Sequence, residues 1–212
     1  MEKLLTSMVI PMNNTNEFPI MFVLAGNNGS GKSTVRRALL EKRLDVKINV
    51  DPDLLAKKYK MENEKTANLK GGREAIRLVE KLIEEKESFS YETTLSGKTA
   101  IQRIKKAKEN GYKIMMYFVG IEDVSLNVIR VEVRKNNGGH FIPKEDILRR
   151  SKLIMGTLIE NLDLYDYLQV LDNSGEKTRP VLEFDNSKLI FCSEEIPSWC
   201  NELAEILRKE EK

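Results

Sequence analysis

The sequence predicts an α/β fold, a three-layer sandwich with a mostly parallel five-stranded sheet, a helical lid and a C-terminal β-hairpin. Three observations carry this. Short continuous apolar runs, PIMFVLA at 19–25 and YKIMMYFV at 112–119, have the length and composition of strands buried on both faces. Segments with apolar residues at three-and-four spacing alternate with such runs, the order expected of right-handed βαβ crossovers. The first apolar run also ends in GNNGSGKST, a glycine-rich loop placed where a strand would hand over to a helix.

The elements follow in order. Residues 19–25 form the first strand, and 33–42, with Val35, Ala38 and Leu39 on one face, form a helix. DVKINV at 45–50 reads as the second strand, ending at Asp51. A helix is expected over 73–87, where Ile76, Val79, Leu82 and Ile83 recur behind a Gly71-Gly72 break, whereas 61–70 shows no readable pattern. Residues 88–91 alternate as a third strand that stops at Glu92, 99–110 are helical, and 112–119 are the fourth strand. Helices over 124–135 and 144–161 are separated by NNGGHFIP, a glycine-rich break with a proline. A fifth strand at 167–171 precedes a hairpin of 180–184 and 189–191 around the turn DNSK. The expectation is one domain over 1–212, with an N-terminal extension at 1–18, a helical lid region at 123–161, and a hairpin and helix at 175–212.

Composition narrows the function classes. A chain of 212 residues, 41% of them hydrophobic, can bury one sizeable core. Thirty-five Lys and Arg against thirty-three Asp and Glu leave a formal charge of +2, so no basic field argues for nucleic acid or an anionic membrane. The N-terminal apolar run is too short for a signal peptide, and no segment approaches the roughly 20 apolar residues of a membrane helix. Cys192 and Cys200 have neither metal-like nor redox-like spacing. A cytoplasmic location is expected.

The loop itself points to nucleotide. Gly26, Gly31, Lys32 and Ser33 satisfy G-x-x-x-x-G-K-[ST], the Walker A pattern of phosphate-binding (P-loop) proteins, with Asn27, Asn28, Gly29, Ser30 and Thr34 completing the segment. Glycines let backbone N–H groups converge on phosphate oxygens, and the helix N-terminus adds the positive end of its dipole. Lys32 is expected to reach the β- and γ-phosphates of ATP and the Ser33 hydroxyl to ligate Mg²⁺. Motors, switches, transporters and kinases all share this loop, so other residues must decide the reaction. An Asn-Lys-x-Asp motif, the mark of a guanine-specific switch, does not occur.

LSGK at 95–98 is a partial match to the signature segment of transporter-type ATPases. In that class, however, the next strand ends in two acids, and here Glu122 and Asp123 arrive late, at a helix start. Ser96 and Gly97 are better explained as the cap of the following helix. Asp51, Asp53 and Glu92 lie at carboxyl ends of strands beside the loop, where a doubly wound sheet binds its ligands. An acid there can hold Mg²⁺ or accept a proton from an attacking hydroxyl. Before Pro52, Asp51 and Asp53 are also good helix caps.

Together these pieces resemble the zeta toxin family of P-loop kinases: GNNGSGKST, NVDPDLLA, a GGR helix, SFSYETTLSG, GY with an apolar strand, SLNVIRVEVRKNNGGHFIPKEDILRR and LDNS, in that order. The resemblance implies transfer of the ATP γ-phosphate to a hydroxyl of a nucleotide sugar, UDP-N-acetylglucosamine in the characterised toxins, with an antitoxin protein as a possible partner. It implies Asp51 as general base, with Asp53 as the alternate, Glu92 near Mg²⁺ and substrate, and Thr94 as a substrate-contacting hydroxyl. Arg130 and Arg134, four apart and sharing a helix face with Asn127, repel unless an anion sits between them, and the resemblance favours a lid function over a solvated pair balanced by Glu132. His140 follows two glycines, so its loop could pass close to a ligand; the better-characterised toxins place an arginine in this region, and a neutral imidazole does not replace a guanidinium one for one. Arg73 is a candidate for the acceptor pocket, against an exposed helix start, and LDNS for the adenine edge. Arg149 and Arg150 read as surface residues, Tyr59 and Tyr91 as packing. The rival readings are a P-loop ATPase that hydrolyses without an acceptor, a housekeeping nucleoside or metabolite kinase, and a module that binds nucleotide without turnover.

Overall fold

The computed structural model describes residues 18–41, 46–59, 63–139, 142–186 and 188–209. Its first strand, β1 (Ile20–Ala25), is buried at every position, and the glycine loop follows it directly. Helix α1 (Lys32–Arg36) opens from that loop and continues as a π turn, Arg37–Glu41. Next come β2 (Asn49–Val50), α2 (Pro52–Ala56) with a 3₁₀ turn at Lys57–Tyr59, α3 (Glu64–Glu85), β3 (Phe89–Thr93) and α4 (Lys98–Glu109). The remainder is β4 (Lys113–Gly120), α5 (Val124–Asn136), α6 (Lys144–Ile159), β5 (Tyr167–Asp172), β6 (Arg179–Asp185), β7 (Lys188–Cys192) and α7 (Asn201–Lys209).

The described strands form a seven-stranded sheet in the order β2-β3-β1-β4-β5-β6-β7. The first five are parallel, and the two antiparallel strands of the C-terminal hairpin extend that same sheet from β5. The expected five parallel strands and hairpin are therefore present, joined into one sheet. Strand alternation splits the core into two layers. Met21, Val23 and Ala25 face Val79, Ile83, Ile104, Leu158 and Leu203, whereas Ile20, Phe22 and Leu24 face Val35, Leu39 and Tyr117.

Two expectations need correction. The second strand is two residues long among the described positions, and 46–48 lie outside it. The Gly71-Gly72 pair does not break a helix: α3 runs 22 residues through it, starting from Asn63, whose side chain accepts from the Thr66 N–H. Gly71 is the contact point with α2, since a Cβ there would lie 2.5 Å from the Ala56 nitrogen, whereas Gly72 faces open space. Close helix packing, not a turn, requires that glycine. The packing matters for the site because α2 begins at Asp51.

Candidate active site

Residues Gly26 to Thr34 leave β1 and wrap toward the N-terminus of α1, and Gly29 (φ 78°) and Gly31 (φ 99°) occupy the left-handed region. Space forbids larger residues as firmly as torsion does. A Cβ on Gly29 would sit 2.5 Å from the Asn127 carbonyl oxygen, and one on Gly31 would sit 2.3 Å from Asn173 Nδ2. Lys32 Nζ donates to the carbonyls of Gly26 (2.9 Å) and Asn27 (2.8 Å). Burial lowers its pKa, while Glu92, Asp53 and Asp51 pull it back up.

Two strand ends, of β2 and β3, deliver carboxylates and polar groups to this loop. Ser33 Oγ donates to Glu92 Oε2 at 2.8 Å, and Asn49 Nδ2 donates to Glu92 Oε1 at 3.3 Å. Arg36 Nε also lies 3.3 Å from that second oxygen. Asp51 caps α2 as the sequence allowed: its Oδ1 accepts from the Asp53 N–H (2.9 Å) and the Leu54 N–H (3.4 Å), with Pro52 at the first helical position. Burial first, then the charges of Glu92 and Asp53, push the Asp51 carboxyl up to about 6. The hydrogen bonds from the α2 backbone oppose that rise.

A cavity of about 410 Å³ joins these groups. Of the residues expected at the site, Asn28, Gly29, Gly31, Lys32, Ser33, Thr34, Asp51, Asp53, Glu92, Thr94, Arg130 and Arg134 line it. Asn27 and Ser30 face a smaller hollow of about 230 Å³ on the other side of the loop. Arg73 is not brought to the cavity: it is an exposed residue inside α3 rather than at a helix start. His140 lies outside the described residues.

Ser33 and Glu92 suit a magnesium ion, because two protein oxygens beside phosphate oxygens and water are the usual share in nucleotide sites. The transporter-like details point elsewhere. Asp123 caps α5 by accepting from the Ser125 N–H at 2.8 Å, and Glu122 accepts from the Ser198 N–H at 3.1 Å. Ser96 and Gly97 do not cap α4 with a side chain; Gly97 holds the cap position and Ser96 Oγ pairs with Thr94 Oγ1 at 2.9 Å.

Arg150 belongs to the cavity although its sequence neighbourhood suggests surface. Its Nη1 donates to Asn28 Oδ1 at 2.7 Å, and its side chain is 23% exposed against 59% for Arg149. The signal was available: Arg150 stands three residues after Ile147 and four before Ile154, both buried, on the inner face of α6. Asn127 and Asn173 were also underestimated. Asn127 Nδ2 donates to the Asn28 carbonyl (2.9 Å), and Asn173 Nδ2 donates to the Ser30 carbonyl (2.8 Å), while Arg130 donates to the Asn173 carbonyl at 3.1 Å.

An uncharacterised protein of Haemophilus influenzae is 41% identical over 124 residues, covering 58% of this chain and 86% of that protein. Among solved structures, the AvrRxo1-ORF1:AvrRxo1-ORF2 complex, also solved with ATP, matches with a TM-score of 0.67 at 17% identity. That match covers 91% of this chain and 63% of the other, so the chain spans less than two thirds of that neighbour's length. A structure from the PezAT chromosomal toxin-antitoxin system of Streptococcus pneumoniae matches with a TM-score of 0.60 at 14% identity, over 92% of this chain and 86% of that one. At those identities the likeness is one of fold, an α/β architecture around a mostly parallel sheet. The model of the zeta toxin family matches residues 7–177, which include the loop, the acidic strand ends and the arginine helix, and the chain belongs to that family.

Proposed function

We propose that this protein is an ATP-dependent kinase that transfers the γ-phosphoryl group of Mg·ATP to a hydroxyl of a nucleotide sugar such as UDP-N-acetylglucosamine. One observation carries the reading: a carboxylate whose pKa is pushed up to about 6, Asp51, shares a single cavity with the phosphate-loop lysine and three arginines. A base works best when its pKa lies near the working pH, and a carboxylate beside the phosphate loop can take the proton of an acceptor hydroxyl as its bond to phosphorus forms.

The division of labour follows from position. Lys32, with the loop N–H groups, holds the β- and γ-phosphates, and its rotation away from the Gly26 and Asn27 carbonyls frees it to do so. Ser33 and Glu92 hold the magnesium ion, which supplies charge neutralisation on the phosphates when bound. One Asp51 oxygen is engaged by the α2 N–H groups, so the other is left to orient an acceptor hydroxyl and take its proton. Asp53 is the alternate base. Thr94 contacts the acceptor, and Arg130, Arg134 and Arg150 counter charge on the moving phosphoryl group. The arginines sit on α5 and α6, the region read as a lid. An antitoxin partner accompanies the proposal, supported by the family and by the toxin-antitoxin system to which one structural neighbour belongs, and so does a cytoplasmic setting. Among the described residues no helix is long and apolar enough to cross a membrane.

The test is a screen of nucleotide sugars with γ-labelled ATP. A labelled phosphoester formed in step with ATP loss, only when acceptor is present and not with Lys32→Ala, is the expected result. Release of inorganic phosphate alone, at a rate indifferent to every acceptor, would refute the kinase reading in favour of an ATPase. Transfer to nucleosides but to no nucleotide sugar would make this a housekeeping kinase.

A further inference from the structure

Two side-chain amides from outside the motif, Asn127 on α5 and Asn173 of the LDNS segment, just after β5, reach carbonyls of the glycine loop. In a planar trans peptide the carbonyl and the following N–H point in opposite directions. Fixing one therefore aims the other. The Asn28 carbonyl is held by Asn127 Nδ2 from α5, and its peptide partner is the N–H of Gly29. The Ser30 carbonyl is held by Asn173 Nδ2 from the end of β5, and its partner is the N–H of Gly31. The other early donors of the loop are spent internally, Asn28 N–H on Asn27 Oδ1 (2.9 Å) and Ser30 N–H on the Asn27 carbonyl (3.2 Å). Gly29 and Gly31 both line the cavity, and their N–H groups are the ones that the two carbonyl contacts aim.

The amides are themselves fixed. Asn127 is 3% exposed, and its own backbone presses against Gly29. Asn173 is set from both ends: Thr178 Oγ1 donates to its Oδ1 at 2.8 Å, which turns its NH₂ toward Ser30, and its backbone N–H donates to the Gly120 carbonyl at 2.9 Å. We propose that Asn127 and Asn173 are positioning residues that tilt the Asn28–Gly29 and Ser30–Gly31 peptides so that two N–H groups face the nucleotide phosphates. This rests on the reading of Gly26 to Thr34 as a phosphate loop. It assigns the work to residues outside that motif, and it ties the α5 helix to the loop rather than leaving it free to swing.

A role in aiming phosphate donors differs from a role in folding in what it does to ligands without phosphate. Asn127→Ala and Asn173→Ala, measured by calorimetry with Mg·ATP, inorganic triphosphate and adenosine, should each weaken ATP and triphosphate by about three- to tenfold, the range of one net hydrogen bond. Adenosine affinity should stay at the wild-type value. Thr178→Val, half-buried and nearly isosteric, leaves Asn173 in place but frees its amide to flip; it should weaken triphosphate by about twofold and covers the case of an alanine variant that does not fold. Wild-type affinity for triphosphate in the folded variants, or an equal loss for adenosine, would overturn the inference. Failure of the wild type to bind ATP at all would overturn the loop reading and this inference with it.

Discussion

Asp51→Asn separates the helix-cap role of this side chain from the base role proposed for it. In the folded protein this carboxyl titrates at about 6 instead of 3.8, because burial, then Glu92, then Asp53 disfavour its charge. Each unit corresponds to about 1.36 kcal/mol, so ionised Asp51 costs the fold on the order of 2 to 3 kcal/mol. Asparagine is an equally good N-cap and can keep the bonds from the Asp53 and Leu54 N–H groups while carrying no charge. The variant should therefore be more stable than the wild type by about 2 kcal/mol near pH 8, or roughly 4 to 8 °C in Tm for a chain of this size. The sign follows from proton binding. Folded Asp51 holds its proton more tightly than unfolded, so the stabilisation it contributes is full below 3.8 and is lost as pH rises through about 6. The advantage of the variant should thus be near zero at about pH 4 and full above about pH 7. Scanning calorimetry without nucleotide at several pH values measures this. Labelled ATP on the same samples should show acceptor phosphorylation lowered by roughly 10² or more, with Mg·ATP affinity within about a few fold of wild type. In the wild type, kcat/KM should fall below about pH 6 as Asp51 protonates. A variant less stable than wild type at the alkaline end would refute the electrostatic argument. Loss of ATP binding together with turnover would make Asp51 a metal-site residue and move the base to Asp53 or Glu92, and unchanged transfer would leave it a helix cap.

The neighbouring glycines of α3 offer an internal control: Gly71→Ala, driven into the Ala56 backbone, should cost about 1 to 3 kcal/mol and lower turnover by displacing α2, whereas Gly72→Ala, in open space, should stabilise by up to about 1 kcal/mol. Paired Tm measurements decide it, and equal effects at the two positions would contradict the packing. Arg130→Ala and Arg134→Ala should lower turnover more than ATP affinity, because charge on the moving phosphoryl group grows toward the transition state. A matching loss in Kd and kcat would instead make them ground-state clamps.

What was legible in the sequence was whatever local pattern determines. The unbroken apolar runs of β1 and β4, buried on both faces, and the glycine-lysine loop between β1 and α1 identify the sheet and one end of the site. Lys32, Ser33, Asp51, Glu92, Arg130 and Arg134 converge on one cavity because each stands at a strand end or on a helix that the alternation already placed. The misreadings share a different cause. Gly71 looks like a break only when α2, which packs on it, is left out. Gly97 holds the cap position of α4, but the hydroxyl of Ser96 beside it bonds to Thr94 rather than to the helix. The hairpin is visible as a hairpin, but its pairing with β5 is a tertiary fact. Arg150, Asn127 and Asn173 act through bonds to residues 122, 99 and 143 positions away, and no local spacing encodes those partners.

The bond between Asn173 and Ser30 also bears on timing. The phosphate loop is among the first described segments of the chain to be synthesised, yet one of its peptides is oriented by a residue that follows 143 positions later. Thr178, which sets that residue's amide, follows later still. Domains fold as units while synthesis proceeds at roughly 5 to 20 residues per second, and contacts this distant close late. A ribosome-bound chain truncated before Asn173 should therefore carry the whole GNNGSGKST motif and still grip ATP poorly. On the proposed reading, nucleotide capture should wait until β5 and the turn after it have emerged, so that an incomplete copy of the protein is a silent one.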